Sequence, residues 1–182
     1  MADLVLFHHA QGLTSGVRAF AGELRAAGHV VHTPDLYDGR TFTTLADGMA
    51  YAEQIGFGAI IERGEAAAAA LGTDLVYAGF SLGVMPAQKL AQTRPGARAA
   101  VLMHATVPLE YFGGVWPDAV PLQIHVMADD ELGDVDVARS LEVAELHVYP
   151  GDRHLFTDSS LPDYDADATA LVLERVRGFL RS

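Results

Sequence analysis

The sequence contains no cysteine. Disulfides, thiolate metal sites and a cysteine nucleophile are excluded together, and the composition is compatible with a reducing cytoplasm. Cations are also scarce: 12 Lys and Arg face 24 Asp and Glu, a formal net charge of -12. Nucleic-acid binding needs clustered Lys and Arg to replace phosphate counterions, so no nucleic acid is expected as a partner. An anionic membrane surface is disfavoured for the same reason. No apolar run approaches the roughly 18 residues that cross a bilayer. Met1-Ala2-Asp3 runs straight into an apolar segment with neither a basic leader nor a cleavage pattern. These absences lead to the expectation of a soluble, cytoplasmic protein without a membrane partner, its oligomeric state left open.

Half of the residues are apolar and 20% are charged, a composition suited to a packed core. No repeat, linker or low-complexity tract divides the chain, so residues 1–182 are expected to form one domain. Leu4-Val5-Leu6-Phe7 is a short continuous apolar run, the pattern of a strand buried on both faces. Thr14 or Ser15 can cap a helix with apolar Val17, Phe20, Ala21 and Leu24 at helical spacing, which Gly28 stops. Val30-Val31 reads as a second strand ended by Pro34. Residues 35–56 read as an irregular loop with at most one short helix. Ala59 to Leu71 reads as a helix, Leu75 to Ala78 as a strand and Val84 to Thr93 as a helix. Pro86 is tolerable in the first turn of that helix, where its missing N–H has no intrahelical partner. Strands at Ala100–Met103, Leu122–Met127 and Leu146–Tyr149 and helices at Val135–Val143 and Ala166–Leu180 complete the series. Alternation of this kind predicts an α/β fold with a mostly parallel sheet and helices on both faces.

Gly79-Phe80-Ser81-Leu82-Gly83 matches G-x-S-x-G between a predicted strand and a predicted helix, the setting of a nucleophile elbow. The turn exposes the serine Oγ at the carboxyl end of the strand, and strand and helix then approach so closely that Gly79 and Gly83 must lack side chains. The new helix presents free N–H groups, so the Leu82 N–H is a candidate oxyanion donor. Serine is a weak nucleophile that needs a base, and the base needs an orienting acid. In this topology they follow in the order serine, acid, histidine. Asp129-Asp130 follows the strand Leu122–Met127, and His154 follows the strand Leu146–Tyr149. All three positions therefore fall at one rim of the sheet, where ligands of open α/β sheets bind.

Spacing alone leaves Asp129 and Asp130 open as the acid. Asp134 and Asp136 are placed to start a helix, and Asp152 to make a turn. His8-His9-Ala10-Gln11-Gly12 follows the first strand on the same rim, so the Ala10 N–H is expected as the second oxyanion donor. His9, Gln11 and His104 are expected at the substrate pocket. His125 and His147 lie inside strands, where histidines are satisfied core or edge residues. A metal site from His8, His9 and His104 lacks ligand spacing, and Asp158, Asp163, Asp165 and Asp167 lack the calcium-loop pattern. Neither a metal nor a cofactor is expected. The expected activity is hydrolysis of a small-molecule ester or lactone. A ligand-binding or scaffold protein retaining the fold would not require all three of Ser81, Asp130 and His154, and a nucleotide-dependent enzyme lacks its glycine-rich fingerprint.

The chain resembles the dienelactone hydrolase family over essentially its whole length. The matching segments are Pro34-Asp35-Leu36-Tyr37, Gly79-Phe80-Ser81-Leu82-Gly83, His125-Val126-Met127-Ala128-Asp129-Asp130 and Tyr149-Pro150-Gly151-Asp152-Arg153-His154-Leu155-Phe156. The resemblance implies a lidless α/β-hydrolase fold, attack on an ester or lactone carbonyl, and Asp130 rather than Asp129 as the acid. It also exposes departures. Dienelactone-cleaving members use Cys where this chain has Ser81, a Glu where it has His9, and a substrate-gripping Arg where it has Asp158. The charge reversal at Asp158 implies a preference for neutral substrates over anionic ones.

Overall fold

Short strands with apolar side chains on both faces need cover on both sides, and amphipathic helices between them supply it. The structure, a computed structural model, describes residues 1–181. Its elements are β1 (Asp3–Phe7), α1 (Ser15–Ala26), β2 (Val30–His32), α2 (Leu45–Ile55), α3 (Phe57–Ala69), β3 (Val76–Phe80), α4 (Val84–Thr93), β4 (Ala99–Met103), β5 (Leu122–Met127), α5 (Val135–Ser140), β6 (Ala144–Tyr149) and α6 (Ala166–Phe179). The six strands form one sheet in the order β2-β1-β3-β4-β5-β6, every pair parallel.

Successive residues of each strand face opposite sides of the sheet. Val5 and Phe7 of β1 belong to one apolar cluster with Ile60 of α3, Leu90 of α4 and Ala138 of α5, so these three helices cover that face of the sheet. Leu4 and Leu6 belong to a second apolar cluster with Phe20 and Leu24 of α1 and Val172 and Val176 of α6, so α1 and α6 cover the other face. On this second face β5 and β6 are polar. Gln123, His125 and Met127 lie opposite Glu145, His147 and Tyr149. His125 is bonded at both ring nitrogens, to the Tyr149 hydroxyl at 2.8 Å and to Gln123 Oε1 at 2.9 Å. His147 bonds Glu145 at 2.8 Å. Both are satisfied histidines, as their strand positions predict.

The strand order reverses at β1: from β1 the chain runs outward to β2, then returns to place β3 on the other side. The loops leaving β1 and β3 therefore diverge and open a crevice at the carboxyl edge of the sheet.

At residues 35–56 the one helix that the sequence allows for is α2, 11 residues long and followed directly by α3. Thr44 caps it by accepting from the Asp47 N–H at 3.1 Å, and Gly56 ends it with φ 86. The helix carries Leu45, Met49, Tyr51 and Ile55 amid Gly, Asp and Glu, and all four are only partly buried against the core. What holds it is tertiary: a Cβ at Gly48 would overlap the Ala10 carbonyl, so α2 rests directly on the loop after β1. The other elements match within a few residues, and Thr14 is the cap of α1, accepting from the Val17 N–H.

Candidate active site

The turn after β3 is the tightest joint of the sheet. A Cβ at Gly79 would strike the Gly83 carbonyl, and one at Gly83 would strike the Phe7 and His8 carbonyls. Both positions require glycine because backbone occupies the side-chain space. Between them Ser81 has φ 49, in the left-handed region that non-glycine residues rarely adopt. Residues Ser81–Gly83 form one 3-10 turn that leads into α4. Ser81 remains partly exposed while Leu82 and Gly83 are buried.

His154 reaches the serine from the loop after β6. Its Nε2 lies 2.7 Å from Ser81 Oγ, and its Nδ1 lies 2.7 Å from Asp130 Oδ2. An ionised carboxylate only accepts, so Nδ1 donates and Nε2 is left to accept the serine proton. The loops after β5 and β6 are fastened by backbone bonds, Ala128 N–H to the Tyr149 carbonyl and Asp129 N–H to the Gly151 carbonyl. Those bonds set the reach between Asp130 and His154. Asp130 is buried and its Oδ1 accepts from the Leu132 N–H at 2.9 Å, whereas Asp129 is exposed. Asp134, beside this site, has its carboxyl pKa raised by burial and by the neighbouring Asp130.

The loop after β1 is pinned on all sides. The Leu36 N–H donates to His8 Nε2 at 3.0 Å, so His8 Nδ1 carries the hydrogen and donates to the His9 carbonyl at 2.7 Å. Burial lowers the His8 pKa to about 4, which keeps the ring neutral. The Gln11 amide donates to the Phe42 carbonyl at 3.0 Å, and the Phe42 N–H donates to the Gln11 carbonyl at 2.9 Å. Ala10, at the centre of this loop, is fully buried, and its N–H makes no hydrogen bond among the described residues.

Each residue singled out in the sequence can now be placed. Ser81, His154 and Asp130 come together. Ala10 and Leu82 occupy the loops that flank Ser81. His9, Gln11 and His104, expected at the substrate pocket, are buried and hydrogen-bonded. His104 has φ 71, bonds Thr157 Oγ1 through Nε2 at 2.7 Å, stacks on Phe80 and meets Phe156 edge-to-face. Its pKa is held well below the usual histidine range by burial first and by nearby His154 second. Asp158 departs from its expectation: it is 3% exposed and fully engaged by donors, and is not an open charge at the rim. Four residues past His154, the chain has already turned inward, which spacing does not reveal. Among the described residues no group of His, Asp and Glu has the arrangement of a metal site, and no helix is long and apolar enough to cross a membrane.

The model of the dienelactone hydrolase family matches residues 2–182. The chain belongs to the dienelactone hydrolase family. Membership supports hydrolysis of esters, with a small-molecule ester as substrate. No curated protein matches the chain. Solved structures share the fold. A dienelactone hydrolase-like promiscuous phosphotriesterase, P91, from metagenomic libraries is 22% identical, with a TM-score of 0.78 over 100% of this chain and 86% of that one. A putative dienelactone hydrolase from Klebsiella pneumoniae subsp. pneumoniae is 17% identical, with a TM-score of 0.73 over 100% and 87%. A putative hydrolase of the alpha/beta superfamily from Xanthomonas campestris pv. campestris is 22% identical, with a TM-score of 0.70 over 100% and 99%.

Within this dienelactone hydrolase family member, sequence reasoning missed the side chains that hold the loops. Thr14 was visible only as a helix cap, yet it also donates to Asp158. Thr157 and Ser160 carry no motif. Their proximity to His154 was the one available signal.

Proposed function

We propose that this protein is a serine hydrolase of carboxylic esters or lactones, acting as one domain through Ser81, His154 and Asp130. The observation that carries the reading is the pair of 2.7 Å contacts linking Ser81 Oγ to His154 Nε2 and His154 Nδ1 to Asp130 Oδ2. Ser81 Oγ attacks the carbonyl while His154 Nε2 takes its proton, and Asp130 holds the imidazole tautomer and stabilises its cation. The oxyanion that forms is met by the Leu82 and Ala10 N–H groups, each worth on the order of 3 kcal/mol. The collapse of this intermediate expels the alkoxide, protonated by His154, and leaves an acyl-serine. Water, deprotonated by His154, then releases the acid and restores Ser81. Every step uses protein groups and water. His9, Gln11 and His104 shape the wall behind the acyl group.

The test is Ser81→Ala, assayed on p-nitrophenyl esters and small lactones and by labelling with a fluorophosphonate. Hydrolysis and labelling should both vanish while the Tm stays near that of the parent, because the residue contributes chemistry and alanine fits the turn. Near-full activity in the purified variant would overturn the assignment.

A further inference from the structure

Side chains that the proposed chemistry does not use tie the loop bearing His154 to the loop after β1. Asp158 Oδ2 accepts from His9 Nε2 at 2.7 Å and from Thr14 Oγ1. Its Oδ1 accepts from the Ser160 N–H at 2.8 Å and the Ser160 hydroxyl at 2.6 Å. A Cβ at Gly16 would overlap the carboxylate, so α1 begins directly against it. Burial alone would raise the Asp158 pKa, but the bonds from His9, Ser160 and Thr14 outweigh that and bring it to about 2. The group is thus ionised throughout the range of any assay.

His9 continues the connection. The Gln11 N–H donates to His9 Nδ1 at 3.2 Å. A backbone N–H can only donate, so the ring hydrogen sits on Nε2 and goes to Asp158. The Gly12 N–H in turn donates to the His9 carbonyl at 3.0 Å. Ala10 is bracketed by one residue whose ring is fixed on Asp158 and by another whose amide is fixed on that ring.

We propose that His9 and Asp158 are a positioning pair for the oxyanion loop, fastening the Ala10 N–H at a set distance from Ser81 by joining its loop to the one that carries His154. This rests on the reading of Ser81 as nucleophile and Ala10 as oxyanion donor. Neither side chain of the pair touches the reacting atoms. The two loops bear opposed halves of the machinery, proton transfer on one and charge stabilisation on the other. A shift between them weakens the transition state more than the bound substrate.

The experiment compares phenyl acetate with its thiono analogue, in which sulfur replaces the carbonyl oxygen. Sulfur is larger and a poor acceptor, so the thiono ester draws little from the oxyanion donors. Asp158→Asn places an amide where the carboxylate accepted two donors on each oxygen. His9→Asn keeps an acceptor for the Gln11 N–H and removes the link to Asp158, and it serves if Asp158→Asn does not fold. We expect kcat for phenyl acetate to fall about tenfold to a hundredfold with KM within about twofold. The ester-to-thionoester ratio of kcat/KM should fall with it, and the midpoint of the pH–rate profile should stay in place. An unchanged ratio in either folded variant, with both substrates slowed equally or neither slowed, overturns the proposal. Ser81→Ala is assayed alongside: if it stays active the underlying mechanism has failed, and if it is inactive with the ratio unchanged only the positioning role has failed.

Discussion

Ser81 Oγ and His154 Nε2 are 2.7 Å apart although 73 residues separate them in the chain. Ser81 is set by the joint between β3 and α4, which two backbone contacts at glycine make rigid. His154 is set by the edge strand β6, which is fastened to β5 along six paired residues. The loops that carry Asp130 and His154 are fastened to each other just past the strand ends, by the Ala128 and Asp129 N–H bonds to the Tyr149 and Gly151 carbonyls, and so share in the precision of the sheet. That anchoring governs which substitutions should harm chemistry and which should harm the fold.

The acid position can be separated from its neighbour. Asp130→Asn should lower kcat by several orders of magnitude, about 10⁴ in the best-studied triad, because Asn favours the wrong histidine tautomer. Asp129→Asn should cost less than about tenfold, since Asp129 is exposed and its N–H, not its side chain, bonds the Gly151 carbonyl. Steady-state kinetics on one activated ester decides it, and the reverse ranking would move the acid by one residue.

The joint itself predicts stability. Gly79→Ala should destabilise by about 1–3 kcal/mol or more, because the added carbon meets backbone that cannot repack. Gly22→Ala, in the interior of α1 with nothing near the new Cβ, should stabilise by roughly 0.5–1 kcal/mol. Urea midpoints of the two variants should therefore move in opposite directions from the parent.

The sequence made the elbow and the strand ends legible because each depends on residues close together in the chain. Gly79 and Gly83 flank their serine, and the apolar runs of β1, β3, β4 and β5 name themselves. The extent of α2 was only partly legible, because Gly48 is there for the close approach of the Ala10 carbonyl, a contact that spacing does not report. Asp158 was misread for a related reason. Its four donors come from Thr14 and His9 at the far end of the chain and from Ser160 nearby, and spacing does not report a bond across 149 residues. The choice of Asp130 came from resemblance; the geometry adds a 2.7 Å bond to His154.

Buried neutral histidines should make the fold sensitive to mild acid. Burial lowers the folded pKa of His8 from 6.5 to about 4, and those of His104 and His125 well below 6.5, so the unfolded chain binds protons that the folded chain refuses. Stability is therefore full above about pH 6.5 and is lost as pH falls through the window below it. For His8 the loss is roughly 3 kcal/mol by pH 4. His8→Gln should be less stable than the parent at pH 7 but should lose less between pH 7 and 4.5. Urea unfolding at the two pH values tests this, and parallel losses in parent and variant would assign the acid sensitivity to other groups.

Charge selectivity at the site should not trace to Asp158. Its carboxylate is 3% exposed and each of its oxygens is occupied by two donors, so it offers a substrate neither an open lone pair nor an unscreened surface charge. The chain as a whole nonetheless carries a net charge of -12, and an anionic ester meets that field before it meets the site. The expected result is a preference for a neutral diester over the matching monoester carboxylate, narrowing as salt shortens the Debye length from about 30 Å at 0.01 M to about 10 Å at 0.1 M. Asp158→Asn should lower kcat/KM for both substrates by the same factor, within about twofold, leaving their ratio as in the parent at each salt concentration. Selective rescue of the monoester by Asp158→Asn would mean that the carboxylate acts on substrate charge after all, through the wall of the site.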